Sequence, residues 1–341
     1  MVGDFDPDAP ADGGGLFGLP HTVEQARVRV FPVPYEATTS YRQGTAGGPA
    51  AVLEASQQVD LCDLETGTPW RAGIAMEEVD PQITALNAGA CLDARRVRDL
   101  EEEGGEEHDA ALDRVNQASA ALNEVVYAWV AKVLAAGQQI PAVLGGDHAV
   151  PFGAMKAALE HDPSIGVLHI DAHADLREAY EGFTWSHASI FYNVLQHTPL
   201  KTLVQVGLRD ISHRELDMAR SDERIHPWTD VALADELAAG TPFAALAERI
   251  IAPLPQRVWI SFDIDGLDPS LCPGTGTPVP GGLSWREALA LLAALGRSGR
   301  QIVGFDLCEV GQEDWDATVG ARLLYKLSGW AIASQPTEDG V

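Results

Sequence analysis

The stretch VLHIDAHADL, residues 167–176, changes from apolar to ionisable within a few positions. Its apolar first half is typical of a buried strand, and Asp171, His173 and Asp175 follow at every second position. Ionisable groups beside a buried strand are costly unless something binds them. The stretch therefore predicts a strand inside a sheet and a bound ligand at the end of that strand.

Six apolar runs, including this one, share the same organisation, because a charged residue or a histidine stands at or near the end of each. They span residues 28–36, 140–148, 164–175, 202–210, 257–265 and 301–310. Continuous runs of β-branched and aliphatic residues fit strands that are buried on both faces of a parallel sheet.

Helical patterns lie between these runs. The clearest cover residues 111–137, 241–254 and 285–299, with Gly137 as a stop signal and Ser284 as an N-cap. Alternating strands and helices predict an α/β fold, a three-layer α/β/α sandwich around a central, mainly parallel sheet. In such sheets ligands bind beyond the carboxyl ends of the strands, where the polar residues of this chain collect.

We expect a single catalytic domain over residues 27–332. Residues 1–26 are acidic and rich in glycine and proline, and they lack the basic and apolar regions of a signal peptide. They are predicted to form a flexible N-terminal arm. Residues 333–341 are predicted to form a C-terminal tail.

Composition and charge exclude several kinds of partner. The chain of 341 residues has 50 acidic and 23 basic residues, which gives a net charge of −27. Nucleic acids and anionic membranes attract positive charge, so neither is an expected partner. The absence of a long apolar run predicts no transmembrane helix. The four cysteines form no C-x-x-C pair, which argues against disulfide scaffolds and indicates the cytoplasm.

Acidic residues and histidines collect at the ends of three runs. They are His148, Asp171, His173, Asp175, Asp263 and Asp265. Four carboxylates and two imidazoles, without a thiolate, suit manganese, nickel or a similar divalent ion better than structural zinc. Two ions that share bridging carboxylates would use all six side chains and would offset their charge. His169 and Asp147 are expected to pack or to support the ligands rather than to bind metal.

These motifs closely resemble the ureohydrolase family of arginase and agmatinase, and the agmatinase branch more than the true arginases. The resemblance covers most of the chain, including residues 34–56, LGGDHAV, residues 169–191, residues 261–282 and CEV at residues 308–310. It implies an arginase-like α/β/α sandwich that assembles as a homotrimer or a homohexamer. It also implies two Mn2+ ions or, as in relatives that act on free guanidine, Ni2+.

The resemblance assigns roles to further residues. His187 in WSHAS matches the histidine that handles protons in the family, and Glu309 matches the carboxylate that holds the guanidinium group. The implied reaction cleaves a C–N bond of a guanidino compound and releases urea plus an amine, or urea plus ammonia from guanidine itself. The sequence after Glu309 resembles the guanidine hydrolases, so agmatine, guanidinobutyrate, methylated guanidines and free guanidine all remain open as substrates.

Each implied role has a physical basis. Two divalent ions lower the pKa of a shared water toward about 7, which supplies hydroxide at neutral pH. Glu309 can pair with the N–H groups of a planar guanidinium. His187, with an expected pKa near neutrality, can deliver the proton that the leaving amine needs.

Two other functions compete with this one. A metal-dependent deacylase on a related scaffold also uses aspartate and histidine ligands, and release of acetate instead of urea would identify it. A catalytically silent subunit would use the metal only to stabilise a hetero-oligomer, and metal titration with an activity assay would identify that case.

Overall fold

The computed structural model describes residues 5–11 and 14–336. Its centre is a sheet in which all neighbouring strands of the described chain run parallel. The strands are β1 (Val28–Val33), β2 (Ile74–Met76), β3 (Ile140–Gly145), β4 (Gly166–Ile170), β5 (Leu203–Leu208), β6 (Ile225–Thr229), β7 (Arg257–Asp263) and β8 (Gln301–Cys308). Their order across the sheet is β2-β1-β3-β8-β7-β4-β5-β6.

Helices cover both faces of this sheet. In the described chain they are α1 (Gly48–Ser56), α2 (Pro81–Asp99), α3 (Glu106–Ala136), α4 (Phe152–His161), α5 (Ile190–His197), α6 (His213–Ser221), α7 (Asp230–Ala238), α8 (Phe243–Ile251), α9 (Trp285–Arg297) and α10 (Asp314–Ala333). One hydrophobic core joins the sheet to α1 and α7–α10, and a second joins it to α2–α6. The predicted three-layer α/β/α sandwich with a parallel sheet is confirmed.

The six apolar runs correspond to β1, β3, β4, β5, β7 and β8. Sequence reasoning missed β2 and β6, the two edge strands. β2 has only three residues, and β6 carries His226 and Pro227 in a half-buried segment. An edge strand has fewer neighbours and tolerates proline, so neither segment forms the long apolar run that marks a central strand.

The predicted helices are present with small shifts at their ends. The first begins at Glu106, before the predicted residue 111, and Gly137 closes it in the left-handed conformation with φ of 73°. Ser284 is the N-cap of α9, where its hydroxyl accepts a hydrogen bond from Glu287 N and the Glu287 carboxylate accepts one from Ser284 N.

Part of the predicted N-terminal arm packs against the domain. Leu16, Phe17 and Leu19 are buried, and Phe17 N donates to Ser56 Oγ over 2.9 Å. At this point the predicted flexible arm is held on the protein body. Residues 1–4 and 12–13 of the arm and residues 337–341 of the predicted tail lie outside the described residues, and the domain boundaries remain predictions.

No helix in the described part of the chain is long and apolar enough to cross a membrane.

Helix α4 follows the loop that carries His148 and packs closely on α3. A Cβ atom added at Gly153 in α4 would lie 2.1 Å from the Asn123 carbonyl oxygen, whereas one at Gly89 in α2 would meet no atom within 4 Å. We expect Gly153→Ala to lower the free energy of unfolding by about 1–3 kcal/mol through overpacking. Gly89→Ala should raise it by about 0.5–1 kcal/mol, because alanine loses less entropy in a helix.

Urea denaturation of the two variants measures both effects. The substitution adds the same methyl group at each position, and only at Gly153 does that group meet the backbone of a neighbouring helix. Equal changes in stability at the two positions would contradict the close packing of α3 on α4.

Candidate metal centre and pocket

The six predicted metal ligands and Glu309 lie at the carboxyl ends of the four central strands. His148 follows β3, Asp171, His173 and Asp175 follow β4, and Asp263 ends β7 with Asp265 two residues later, while Glu309 follows β8. The order of these strands is β3-β8-β7-β4, so distant parts of the chain meet at one edge. The structure brings together the six predicted ligands and Glu309; their roles remain predictions.

The Nδ1 atom of His148 faces three carboxylates. It lies 3.0 Å from Asp171 Oδ2, 3.1 Å from Asp175 Oδ2 and 3.4 Å from Asp263 Oδ2. All four side chains are buried. Together they offer a divalent ion one nitrogen and three oxygen ligands, a donor set of the kind that manganese and nickel accept.

A second group of ligand atoms adjoins the first. His173 Nδ1 lies 3.1 Å from Asp265 Oδ2 and 3.3 Å from Asp171 Oδ1. Asp171 therefore belongs to both groups and presents one carboxylate oxygen to each histidine. This arrangement fits two ions that share a bridging carboxylate.

The backbone around these ligands is constrained. Asp175 has a φ of 54°, in the left-handed region that is strained for residues other than glycine. Asp263 accepts a hydrogen bond of 2.8 Å from Asp265 N, which fixes the turn between the two carboxylates. A Cβ atom at Gly266 would lie 2.8 Å from Asp171 N, so glycine permits the close approach of the β4 and β7 loops.

The buried carboxyl groups and histidines of this cluster have strongly shifted pKa values. Burial and the charge of Asp171 raise the pKa of Asp175 to about 7, and burial with neighbouring carboxylates raises the pKa of Asp263 well above its ordinary value. Burial alone would lower the pKa of His148 and His173, but the adjacent carboxylates raise both well above the ordinary value. Divalent ions could take the place of the protons held here, so the residues present fit a metal centre.

His169 contacts Asp171, one of the predicted ligands. It is fully buried, and Gln205 Nε2 donates to its Nδ1 over 3.0 Å and to the Ala174 carbonyl over 2.8 Å. Nε2 of His169 then carries the proton of a neutral ring. It donates to Asp171 Oδ2 over 2.8 Å and so holds that carboxylate in place.

Glu309 is buried with one carboxylate oxygen engaged and the other free. Oε1 accepts a hydrogen bond from His148 N over 3.1 Å, whereas Oε2 has no hydrogen-bond partner in the described chain. Burial and nearby carboxylates raise the pKa of Glu309 well above its ordinary value. A Cβ atom at Gly276 would lie 2.6 Å from Oε2, so glycine keeps space beside that oxygen. A buried acceptor without a partner points to a ligand that donates N–H bonds.

His187 lies in a shell of hydroxyl groups beside the cluster. Its Nδ1 is 3.3 Å from both Thr38 Oγ1 and Ser186 Oγ, and its Nε2 is 3.5 Å from Ser40 Oγ. Burial, together with the charges of His173 and His148, lowers its pKa to about 3. The sequence predicts a pKa near neutrality for His187, whereas its surroundings here lower the pKa and favour the neutral imidazole.

A pocket of about 230 Å³ joins the cluster to His187. Its lining includes His173, Asp175 and His187 together with Tyr180 and two further acids, Asp210 and Glu215. The Glu215 carboxylate is engaged by Leu176 N, Ser212 N and Ser212 Oγ. The exposed Asp210 carboxylate makes no hydrogen bond or ion pair within the described residues, so it is available to a ligand.

Sequence reasoning did not select Asp210, although that residue closes the predicted run 202–210. Arg209 was also left without a role. Its guanidinium donates to the carbonyl oxygens of Asp265, Leu267 and Val279 over 2.6, 3.1 and 3.0 Å. Arg209 therefore ties together the loops after β7 rather than entering the pocket.

The fold and this side-chain cluster define an α/β sandwich with a candidate metal centre at the carboxyl edge of its sheet. The sequence profile of the arginase family matches residues 26–328. The N(1)-aminopropylagmatine ureohydrolase of Thermus thermophilus is 36% identical over 326 residues, which cover 92% of this chain and 94% of that protein. An agmatinase from Halalkalibacterium halodurans is 29% identical over 287 residues, 84% of each chain. The agmatine ureohydrolase structure from Thermoplasma volcanium has the same fold, with a TM-score of 0.70, 22% identity and 94% coverage of both chains.

This chain belongs to the arginase family. The predicted family and the predicted enzyme class, hydrolases that act on linear amidine C–N bonds, are confirmed. The family depends on a binuclear metal centre, and the chain carries a matching cluster of histidines and aspartates.

The pKa values of the cluster predict how metal and pH affect stability. Asp175 and Asp263 have raised pKa values in the folded protein, so without metal their contribution to stability is present at low pH. In the unfolded chain these groups ionise at a pH of about 4. Their stabilising contribution is therefore lost as the pH rises from about 4 through their pKa values in the folded protein. Divalent ions replace the protons and bind more tightly as the pH rises.

We therefore expect added Mn2+ to raise the melting temperature more at about pH 8 than at about pH 5.5. Thermal melts with Mn2+ and with a chelator measure the difference. Asp175→Ala should reduce the rise at both pH values, because it removes a predicted ligand, whereas the exposed Asp217→Asn on α6 should not. An equal or smaller rise at the higher pH would show that these carboxylates do not bind the ion.

Proposed function

We propose that this protein hydrolyses the guanidino group of a cationic alkylguanidine and releases urea and an amine, with Mn2+ or Ni2+ at the paired site. The observation that carries the proposal is the free, buried Oε2 of Glu309 next to the cluster of His148, His173 and four aspartates. Two divalent ions, when bound, would supply an ionised water at neutral pH.

Glu309 would bind the guanidinium. One of its oxygens is held by His148 N and the other is free, so the carboxylate plane is fixed before the substrate arrives. A planar guanidinium can donate parallel N–H bonds to such a carboxylate. The bond to His148 N couples this position to a predicted metal ligand, which would place the guanidinium carbon beside the metal centre.

His187 would move the proton that the leaving amine needs. The lowered pKa favours the neutral imidazole before the reaction, so an imidazole nitrogen would hold a proton only transiently, between the attack and its transfer to the departing nitrogen. Thr38 and Ser186 contact Nδ1 and hold the ring in position. The position of His187 in the pocket lining fits this task.

The pocket favours a substrate that continues beyond the guanidinium. Its volume of about 230 Å³ exceeds what free guanidine fills. The exposed Asp210 carboxylate can pair with an ammonium group on the substrate tail. Two relatives that are 36% identical to this chain are named for N(1)-aminopropylagmatine, so we propose an aminoalkylguanidine of this kind, with agmatine as the shorter alternative.

The remaining parts of the proposal are the assembly and the compartment. We propose a homotrimer or homohexamer in the cytoplasm. The four cysteines are unpaired in the structure, including the exposed Cys62, which is what a reducing compartment favours.

A urea-release screen tests the function. The purified protein is loaded separately with Mn2+ and Ni2+ and assayed with agmatine, N(1)-aminopropylagmatine, guanidinobutyrate, methylguanidine and guanidine. We expect the highest kcat/KM with an amine-tailed compound. Faster turnover of free guanidine would overturn the proposed substrate class, and urea release from none of the compounds would overturn the proposed function.

Asp210→Asn tests recognition of the tail. An exposed ion pair contributes roughly 0.2–1 kcal/mol, so we expect KM for agmatine to rise by up to about fivefold with little change in kcat. Methylguanidine has no ammonium tail, and its kinetics should not change. Asp217→Asn on the neighbouring helix serves as the matched control. If the KM values for agmatine and methylguanidine change equally in Asp210→Asn, Asp210 does not bind the ammonium tail of the substrate.

A further inference from the structure

We infer that Ser261, Asp306 and Trp259 are positioning residues that hold His148 in the tautomer whose Nδ1 is free to bind a metal ion. The inference rests on the metal site of the proposed function, but it concerns metal binding and can be tested without any substrate.

A chain of hydrogen bonds runs from the core of the sheet to His148. Trp259 Nε1 lies 2.6 Å from Asp306 Oδ2, and Ser261 Oγ lies 2.8 Å from Asp306 Oδ1. Ser261 Oγ is in turn 3.0 Å from His148 Nε2. Trp259 and Ser261 lie on β7, and Asp306 lies on β8 beside them.

The chemistry of the donor groups sets the direction of each of these three hydrogen bonds. An indole N–H can only donate, and an ionised carboxylate can only accept. Asp306 therefore accepts one bond from Trp259 and one from the Ser261 hydroxyl, which has a single proton to give. The Ser261 oxygen is left as an acceptor, so His148 must donate to it from a protonated Nε2.

When Nε2 carries the proton of a neutral ring, Nδ1 is left without one. Nδ1 of His148 faces Asp171, Asp175 and Asp263, where the first ion is proposed to bind. A histidine that donates from Nε2 can present the lone pair of Nδ1 to a metal, and such bonds orient the ring and strengthen it as a ligand.

The burial of these residues indicates that the hydrogen bonds position His148 as well as join β7 to β8. Ser261 and Asp306 are fully buried and Trp259 nearly so. Burying a carboxyl group at this depth is costly unless its oxygens are hydrogen-bonded. A bond between Asp306 and Trp259 would suffice to join β7 to β8, yet the second carboxylate oxygen is used to orient the hydroxyl that faces His148.

The variant Asp306→Asn tests the direction of the bonds. Trp259 still needs an acceptor, so the amide oxygen should stay toward the indole and the NH2 group should face Ser261. The Ser261 hydroxyl would then turn its proton toward His148 Nε2 and place the ring proton on Nδ1, where it competes with the metal. We expect Asp306→Asn to weaken one of two Mn2+ sites by about 100-fold and Ser261→Ala to weaken the same site by about tenfold, the range for residues that support ligands.

Titration of free Mn2+, followed by its electron paramagnetic resonance signal, reports each site without an activity assay. Ser261→Thr keeps the hydroxyl and should restore binding. The matched control is Ser328→Ala, because Ser328 is equally buried but has no hydrogen-bond partner in the described chain. Melting curves in chelator identify any variant that fails to fold.

A double-mutant cycle tests whether Ser261 acts through His148. With His148 replaced by alanine, the further change Ser261→Ala should not weaken Mn2+ binding any more. Full additivity, equal weakening of both sites, or unchanged binding in both Ser261→Ala and Asp306→Asn would overturn the inference. Wild-type protein that binds no Mn2+ would overturn the metal site itself, whereas Mn2+ binding without urea release would overturn only the proposed function.

Discussion

The structure depends on the burial of five carboxylates in one small volume. Asp171, Asp175, Asp263, Asp265 and Glu309 are buried together with His148 and beside His173. Like charges at such distances repel strongly in a medium of low dielectric constant, and no arginine or lysine is among the side chains paired with these carboxylates in the described chain. Raised pKa values relieve part of this repulsion by protonation, and two divalent cations would relieve it at higher pH.

The parallel sheet explains how one chain can assemble such a site. The carboxyl ends of β3, β8, β7 and β4 are neighbours, and each carries candidate ligands or Glu309 within a few residues of the strand. The strands are buried on both faces, so their register is held by two hydrophobic cores. The rigid layers can support strained backbone at Asp175 and Glu309, because the surrounding packing and hydrogen bonds leave little freedom to relax.

Particular residues show which features the sequence predicts and which need coordinates. The six central strands and the six candidate ligands are predictable, because long apolar runs and the short patterns at their ends, GGDH at residues 145–148, DAHAD at residues 171–175 and DID at residues 263–265, are local properties of the chain. β2 and β6 lack such a pattern and form because a neighbouring strand offers them an edge. The free oxygen of Glu309, the unpaired state of Asp210 and the low pKa of His187 depend on neighbours from other elements. The hydrogen bond from Ser261 to Asp306 depends on the register that pairs these residues across β7 and β8. That register cannot be read from their spacing along the sequence.

The negative charge around the candidate metal centre favours a cationic substrate. Four aspartates offset two divalent ions, and an added hydroxide and the Glu309 carboxylate would make the loaded site anionic. Asp210 extends this negative character along the pocket, and the whole chain carries a net charge of −27. Such a field attracts small cations and repels anions over a distance that depends on salt. The proposed substrate, a guanidinium with a second positive charge, would be favoured at each stage, first by the field of the protein, then by Asp210, and finally by the free oxygen of Glu309, where it would supply the positive charge that this buried carboxylate lacks.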